Sequence, residues 1–108
     1  MKTIFKRPFS QYVKKARKPL QLAIEDAVEG VCETPDIGEP KQGDLVGIRV
    51  YKFKFQRQEY LLAYRPTLEE QGHAGQALGV VMIDFYQIGT HENFYDELKR
   101  YLRSEGQP

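Results

Sequence analysis

The sequence predicts an α+β fold, with an N-terminal helical hairpin packed on a twisted antiparallel sheet and a C-terminal helix. Three observations carry this. Apolar residues recur at helical spacing from Phe9 to Val31, dense β-branched and aromatic runs follow from Ile48 to Ile88, and helical spacing returns after Gly89. Helices and strands that occupy separate stretches of chain, with neighbouring strands able to pair antiparallel, define the α+β class. At 108 residues the chain forms one domain, 1–108, large enough to bury a core without covalent help.

The elements follow in order. Met1–Phe5 reads as a short strand. Pro8 suits the first turn of a helix, and Phe9, Tyr12, Val13 and Ala16 then keep the i, i+3, i+4, i+7 spacing, with Lys14, Lys15, Arg17 and Lys18 on the other side. Pro19 breaks this helix and starts a second one, striped by Leu20, Ile24, Ala27, Val28 and Val31 and closed by Thr34-Pro35. So short a break predicts an antiparallel pair of helices. Asp36–Gly47 is turn-rich. Ile48–Phe55 and Tyr60–Arg65 read as two strands of a hairpin joined by the polar turn Gln56–Gln58. Pro66–Gly79 is a long loop with three glycines, a length that usually signals function. Val80–Ile88 is a third long strand, apolar on both faces. His91–Arg103 is a helix with Phe94, Leu98 and Leu102 along one stripe, and Thr90 stands at its N-cap position. The first two helices cover one face of the sheet and leave the other partly open.

Composition narrows the function. The net charge of +1 conceals sorted blocks. Residues 1–20 hold seven Lys or Arg and no acid, residues 21–40 six Asp or Glu and no base, and residues 41–65 six bases against two acids. Local blocks rather than the total decide what a surface attracts. The single cysteine, Cys32, excludes an internal disulfide framework and sits at a helical core position. No apolar stretch is long enough to span a bilayer, and no apolar run follows Lys2, Lys6 and Arg7 to make a signal peptide, so a cytoplasmic location is expected. Two histidines and one cysteine, widely spaced, give no metal-ligand pattern, and no glycine-rich phosphate loop occurs. No cofactor or metal is expected.

Three stretches together resemble the RelE/ParE superfamily of toxins: Glu25–Gly43 (EDAVEGVCETPDIGEPKQG), Gly47–Tyr64 (GIRVYKFKFQRQEYLLAY) and Ile88–Tyr101 (IGTHENFYDELKRY). Each is a weak pattern, and their ordered combination is more specific. The resemblance runs from the first helix to Tyr101. It implies a toxin neutralised by a cognate antitoxin protein. It further implies one of two activities. Many members are ribosome-dependent endoribonucleases that cut mRNA when an RNA 2′-hydroxyl attacks the neighbouring phosphate. Another branch poisons DNA gyrase and has no nuclease site. A relative that has lost activity and only binds its antitoxin is a third reading.

The nuclease reading names residues. Alternation puts Lys52 and Lys54 on one face of their strand and Tyr51, Phe53 and Phe55 on the other. Taken alone, two lysines on a half-exposed strand keep it soluble. The resemblance implies that they line a catalytic groove, because lysines occupy this Tyr-Lys-x-Lys position in RNA-cleaving relatives. His91 and Tyr95 resemble the His-x-x-x-aromatic ending of those relatives, where the histidine exchanges protons and the ring orients RNA. Otherwise His91 helps cap the helix and Tyr95 packs on the sheet. Relatives with the paired lysines often carry an arginine where this chain has Leu61. Arg65 is the chosen substitute over Arg57 and Arg49, since a guanidinium suits a phosphate. Glu92 and Asp96 are the carboxylates expected near the groove. The basic helix face of Lys14, Lys15, Arg17 and Lys18, together with Arg57, either grips RNA or is merely solvated. His73, in the long loop, is assigned no role.

Overall fold

The computed structural model describes residues 1–69 and 79–106. Its elements are β1 (Lys2–Phe5), α1 (Arg7–Lys15), α2 (Lys18–Glu33), β2 (Glu39–Pro40), a 3-10 turn (Gly43–Leu45), β3 (Arg49–Phe55), β4 (Gln58–Leu68), β5 (Val80–Gly89) and α3 (Phe94–Gly106). The α+β class is as expected. The sheet is mixed, however, not purely antiparallel. Its order is β1-β5-β4-β3-β2, and β1 runs parallel to β5 with Lys2 opposite Met82 and Phe5 opposite Phe85. The chain thus opens on a strand bound to the last one, an arrangement that short-range periodicity cannot reveal.

Both N-terminal helices start at a basic residue followed by proline, Arg7-Pro8 and Lys18-Pro19. Proline lacks the N–H that a first turn leaves unpaired anyway and presets its φ. Ala16 and Arg17 between them are extended, which separates the helices. The buried residues Phe9, Ile24, Ala27 and Val31 meet Leu62, Tyr64, Ile83, Phe85 and Ile88 of the sheet in one core. Tyr51, Phe53 and Tyr60 pack at its edge. Burying side chains of this size contributes roughly 1.5–3 kcal/mol each.

The opposite face has a core of its own. Leu45, Ile48, Val50, Leu61, Ala63 and Tyr86 pack with Phe94 and Leu98 of α3. This face is therefore covered by the C-terminal helix except at the end of β3 and β4, where Lys52 and Lys54 stay exposed. Three local expectations need correction. The β3–β4 turn has two residues, Gln56 and Arg57, both at positive φ of 49° and 67°, with Phe55 paired to Gln58. Pro66, Thr67 and Leu68 belong to β4, so only part of the expected Pro66–Gly79 loop remains, and 70–78, with His73, lie outside the described residues. Finally, α3 begins at Phe94 and not at His91, since Asn93 turns the chain at a φ of 59°; Thr90 is not its N-cap, and the backbone N–H of Glu97 donates to the Asn93 carbonyl.

Tyr64 ties the Pro35–Gly38 turn to the core. Its hydroxyl donates to the Pro35 carbonyl at 2.6 Å and accepts from the Gly38 N–H at 2.9 Å. A Cβ at position 38 would stand 2.7 Å from that hydroxyl oxygen, so the close approach requires glycine.

Candidate functional site

The uncovered end of the α3 face holds a compact set of ionisable groups. Strand alternation sends Lys52 and Lys54 to this face with Val50, while Tyr51 and Phe53 pack against the other core. The antiparallel register then sets Leu61 opposite Lys52 and Glu59 opposite Lys54. His91, in the turn that follows β5, completes the group: its Nε2 lies 2.7 Å from Oε1 of Glu59. The hydrogen bond from His91 is the main influence holding the Glu59 carboxyl below its ordinary value. The His91, Lys52 and Lys54 charges add to this, against a smaller opposing effect of burial. A carboxylate kept ionised can orient the imidazole through this hydrogen bond. Both partners remain open to solvent, His91 54% and Glu59 36% exposed at the side chain, so this is a surface site that a macromolecule can reach.

The other expected residues lie elsewhere. Tyr95 is half-buried beside Phe94, whose ring it meets edge-on at 5.3 Å, and Lys41 stands 5.4 Å above its ring. Tyr95 and His91 thus share the start of α3 but not a partner, and with His91 outside the helix the expected one-turn relation between them does not hold. Arg65 points to the same sheet face but six residues beyond Glu59 along β4, roughly 20 Å away. There it stacks on Tyr86, 5.6 Å from the ring centre, across from Asp84. Arg49 is committed to the Gly38 and Asp36 carbonyls, at 2.6 and 3.1 Å. Arg57 is exposed at the hairpin tip. Leu61 is fully buried in the α3 core, so an apolar side chain fills the position that carries an arginine in the RNA-cleaving pattern. Glu92 and Asp96 are exposed and make no ion pair among the described residues. Lys14, Lys15, Arg17 and Lys18 are all exposed, on the far side of the sheet from His91.

Sequence reasoning missed Glu59. The signal for it was the length of the turn. A three-residue turn at 56–58 pairs Phe55 with Glu59 and puts the acid on the aromatic face. The two-residue turn slips the register by one and moves it to the lysine face. Among the described residues no group of three or more His, Cys, Asp or Glu is placed to hold a metal ion, and no helix is long and apolar enough to cross a membrane.

The model of the ParE-like toxins of type II bacterial toxin–antitoxin systems covers residues 4–99. Neither a curated protein nor a solved structure matches the chain. Since the match takes in nearly every element from β1 into α3, the chain belongs to the ParE-like toxin family, and a toxin of this type implies a cognate antitoxin protein.

Proposed function

We propose that this ParE-like toxin cuts RNA at the His91–Glu59 pair beside Lys52 and Lys54, with mRNA on the ribosome as the substrate. The observation that carries the reading is the 2.7 Å contact of His91 with Glu59 on the face that bears both lysines. In-line attack by a 2′-hydroxyl needs a proton acceptor, positive charge for the phosphorane and a proton for the leaving oxygen. The His91 imidazole takes the 2′-hydroxyl proton, and Glu59 stabilises the resulting imidazolium. The new P–O2′ bond forms as the P–O5′ bond breaks, giving a cyclic phosphate and a free 5′-hydroxyl. Lys52 and Lys54 balance the equatorial oxygens, and one ammonium supplies the proton to O5′. Tyr95, apart from the cluster and with one ring face under Lys41, offers its remaining exposed part only to a flanking base. Arg65, too distant for the scissile phosphate, acts only on a flanking part of the strand.

The alternative is inhibition of DNA gyrase, which needs no acid–base pair. One observation favours it: the buried Leu61 leaves the cluster without a guanidinium. Expression of the toxin against a repressible antitoxin, with mRNA ends mapped after release, separates the two. The nuclease reading predicts new 5′-hydroxyl ends in translated mRNA, lost about 10²–10⁴-fold in His91→Ala and Lys54→Ala. Growth arrest with DNA breaks and intact mRNA contradicts it and supports the gyrase reading.

A further inference from the structure

Behind the His91–Glu59 cluster, on the opposite face of the same hairpin end, lies an aromatic hollow. It encloses about 290 Å³ between Arg17, Leu20, Phe55, Gln56 and Tyr60. A second hollow of about 250 Å³ adjoins it through Leu20 and adds Tyr12 and Lys15. Among the described residues no acid lines either one. The groove between α1 and α2 differs in this respect, because Glu25 and Glu29 line it. Phe55 and Tyr60 are half-buried, with Tyr60 stacked on Phe53 at 5.7 Å, so the aromatic floor is firmly seated and still partly open. Around the hollows Lys14, Lys15, Arg17, Lys18 and Arg57 are exposed, and among the described residues none of the five is in an ion pair.

The two sites are joined by sequence. Lys54 precedes Phe55 and Glu59 precedes Tyr60, and successive strand residues face opposite ways. Arg57 stands between them at the tip. The separation is the thickness of one sheet with its side chains, roughly 10 Å. We infer that the hollow at the α1–α2 junction is a second RNA site, which takes an unstacked nucleobase of a single strand whose phosphates follow the cations around the hairpin tip. Ring faces that stack on a base beside cations that track the backbone are the combination by which single strands are held without sequence reading. The Gln56 amide adds a donor and an acceptor for a base edge. The inference rests on the RNA reading above and extends it to a part of the substrate remote from the cut.

The test uses the purified protein and a short fluorescent 2′-O-methyl RNA, which cannot be cut. Binding is followed by anisotropy at several salt concentrations. In the double variant Arg17→Gln/Arg57→Gln, affinity falls about ten-fold or more at low salt, and the salt slope drops by about 0.7 for each lost phosphate contact. Phe55→Leu keeps apolar bulk but removes the ring, and it weakens binding about five-fold or more; circular dichroism verifies that each variant is folded. Unchanged affinity and slope in the double variant overturn the inference. So does a glutamate-rich peptide of equal charge that binds as tightly with the same dependence on Arg17 and Arg57, which would make the surface a protein-docking site. The two readings fail separately. Mapped cuts without Arg17 and Arg57 dependence sink the hollow and spare the nuclease, whereas dependence without cuts does the reverse.

Discussion

An exposed histidine gains directed chemistry only when something fixes its ring, and here a single carboxylate does so. Glu59 should behave as part of the site. Glu59→Gln keeps the shape, loses the charge and lowers cutting by about ten-fold or more. The same residue gives a pH signature. Its folded pKa lies below its ordinary value of 4.5, so its contribution to stability is present above that value and is lost as pH falls through the lower folded value. The gap in urea midpoint between wild type and Glu59→Gln therefore narrows as pH drops below about 4.5; a gap that widens there contradicts the assignment. Lys52, Lys54 and His91 were legible from alternation and resemblance. Glu59 was not, because its side of the strand depended on one residue of turn length. A second residue-scale prediction concerns Tyr64. Tyr64→Phe removes the buried link to Pro35 and Gly38 and costs about 1–3 kcal/mol in equilibrium unfolding, since it also leaves the Gly38 N–H without an acceptor.

At the scale of elements, the helices α1 and α2 were readable because proline and apolar stripes are local signals. The pairing of β1 with β5 was not, since a contact between residues eighty positions apart leaves no short-range pattern. The start of α3 was placed too early because Asn93, at positive φ, turns the chain where propensity alone continues the helix. The β3–β4 turn makes its own prediction. Two positive φ values at non-glycine residues fit the primed turn that matches strand twist, at a steric cost. Gln56→Asn with Arg57→Gly relieves it and raises stability by about 1 kcal/mol in chemical denaturation. The same variant loses the Arg57 cation, so its affinity for uncleavable RNA falls while its stability rises.

The whole molecule is a sheet between two unequal cores, and the candidate site lies where the smaller core ends. Leu98 is fully buried in that core, and Lys6 clasps Glu105 near the end of α3 at 2.9 Å. Leu98→Ala should cost about 2–5 kcal/mol and loosen α3 first, seen as faster amide exchange in Phe94–Gly106 than in β4 and β5. The second face, expected to be partly open, is largely covered by α3, and the charged cluster sits on the part left uncovered. The central claim is that this cluster directs a 2′-hydroxyl onto its neighbouring phosphate. The most direct measurement is cleavage of mRNA on purified ribosomes, comparing an all-ribose message with one bearing a single 2′-deoxynucleotide at the mapped cut. The account predicts a cyclic-phosphate product from the first and no cut at that position in the second. Equal cutting of both messages, or of neither, would contradict it.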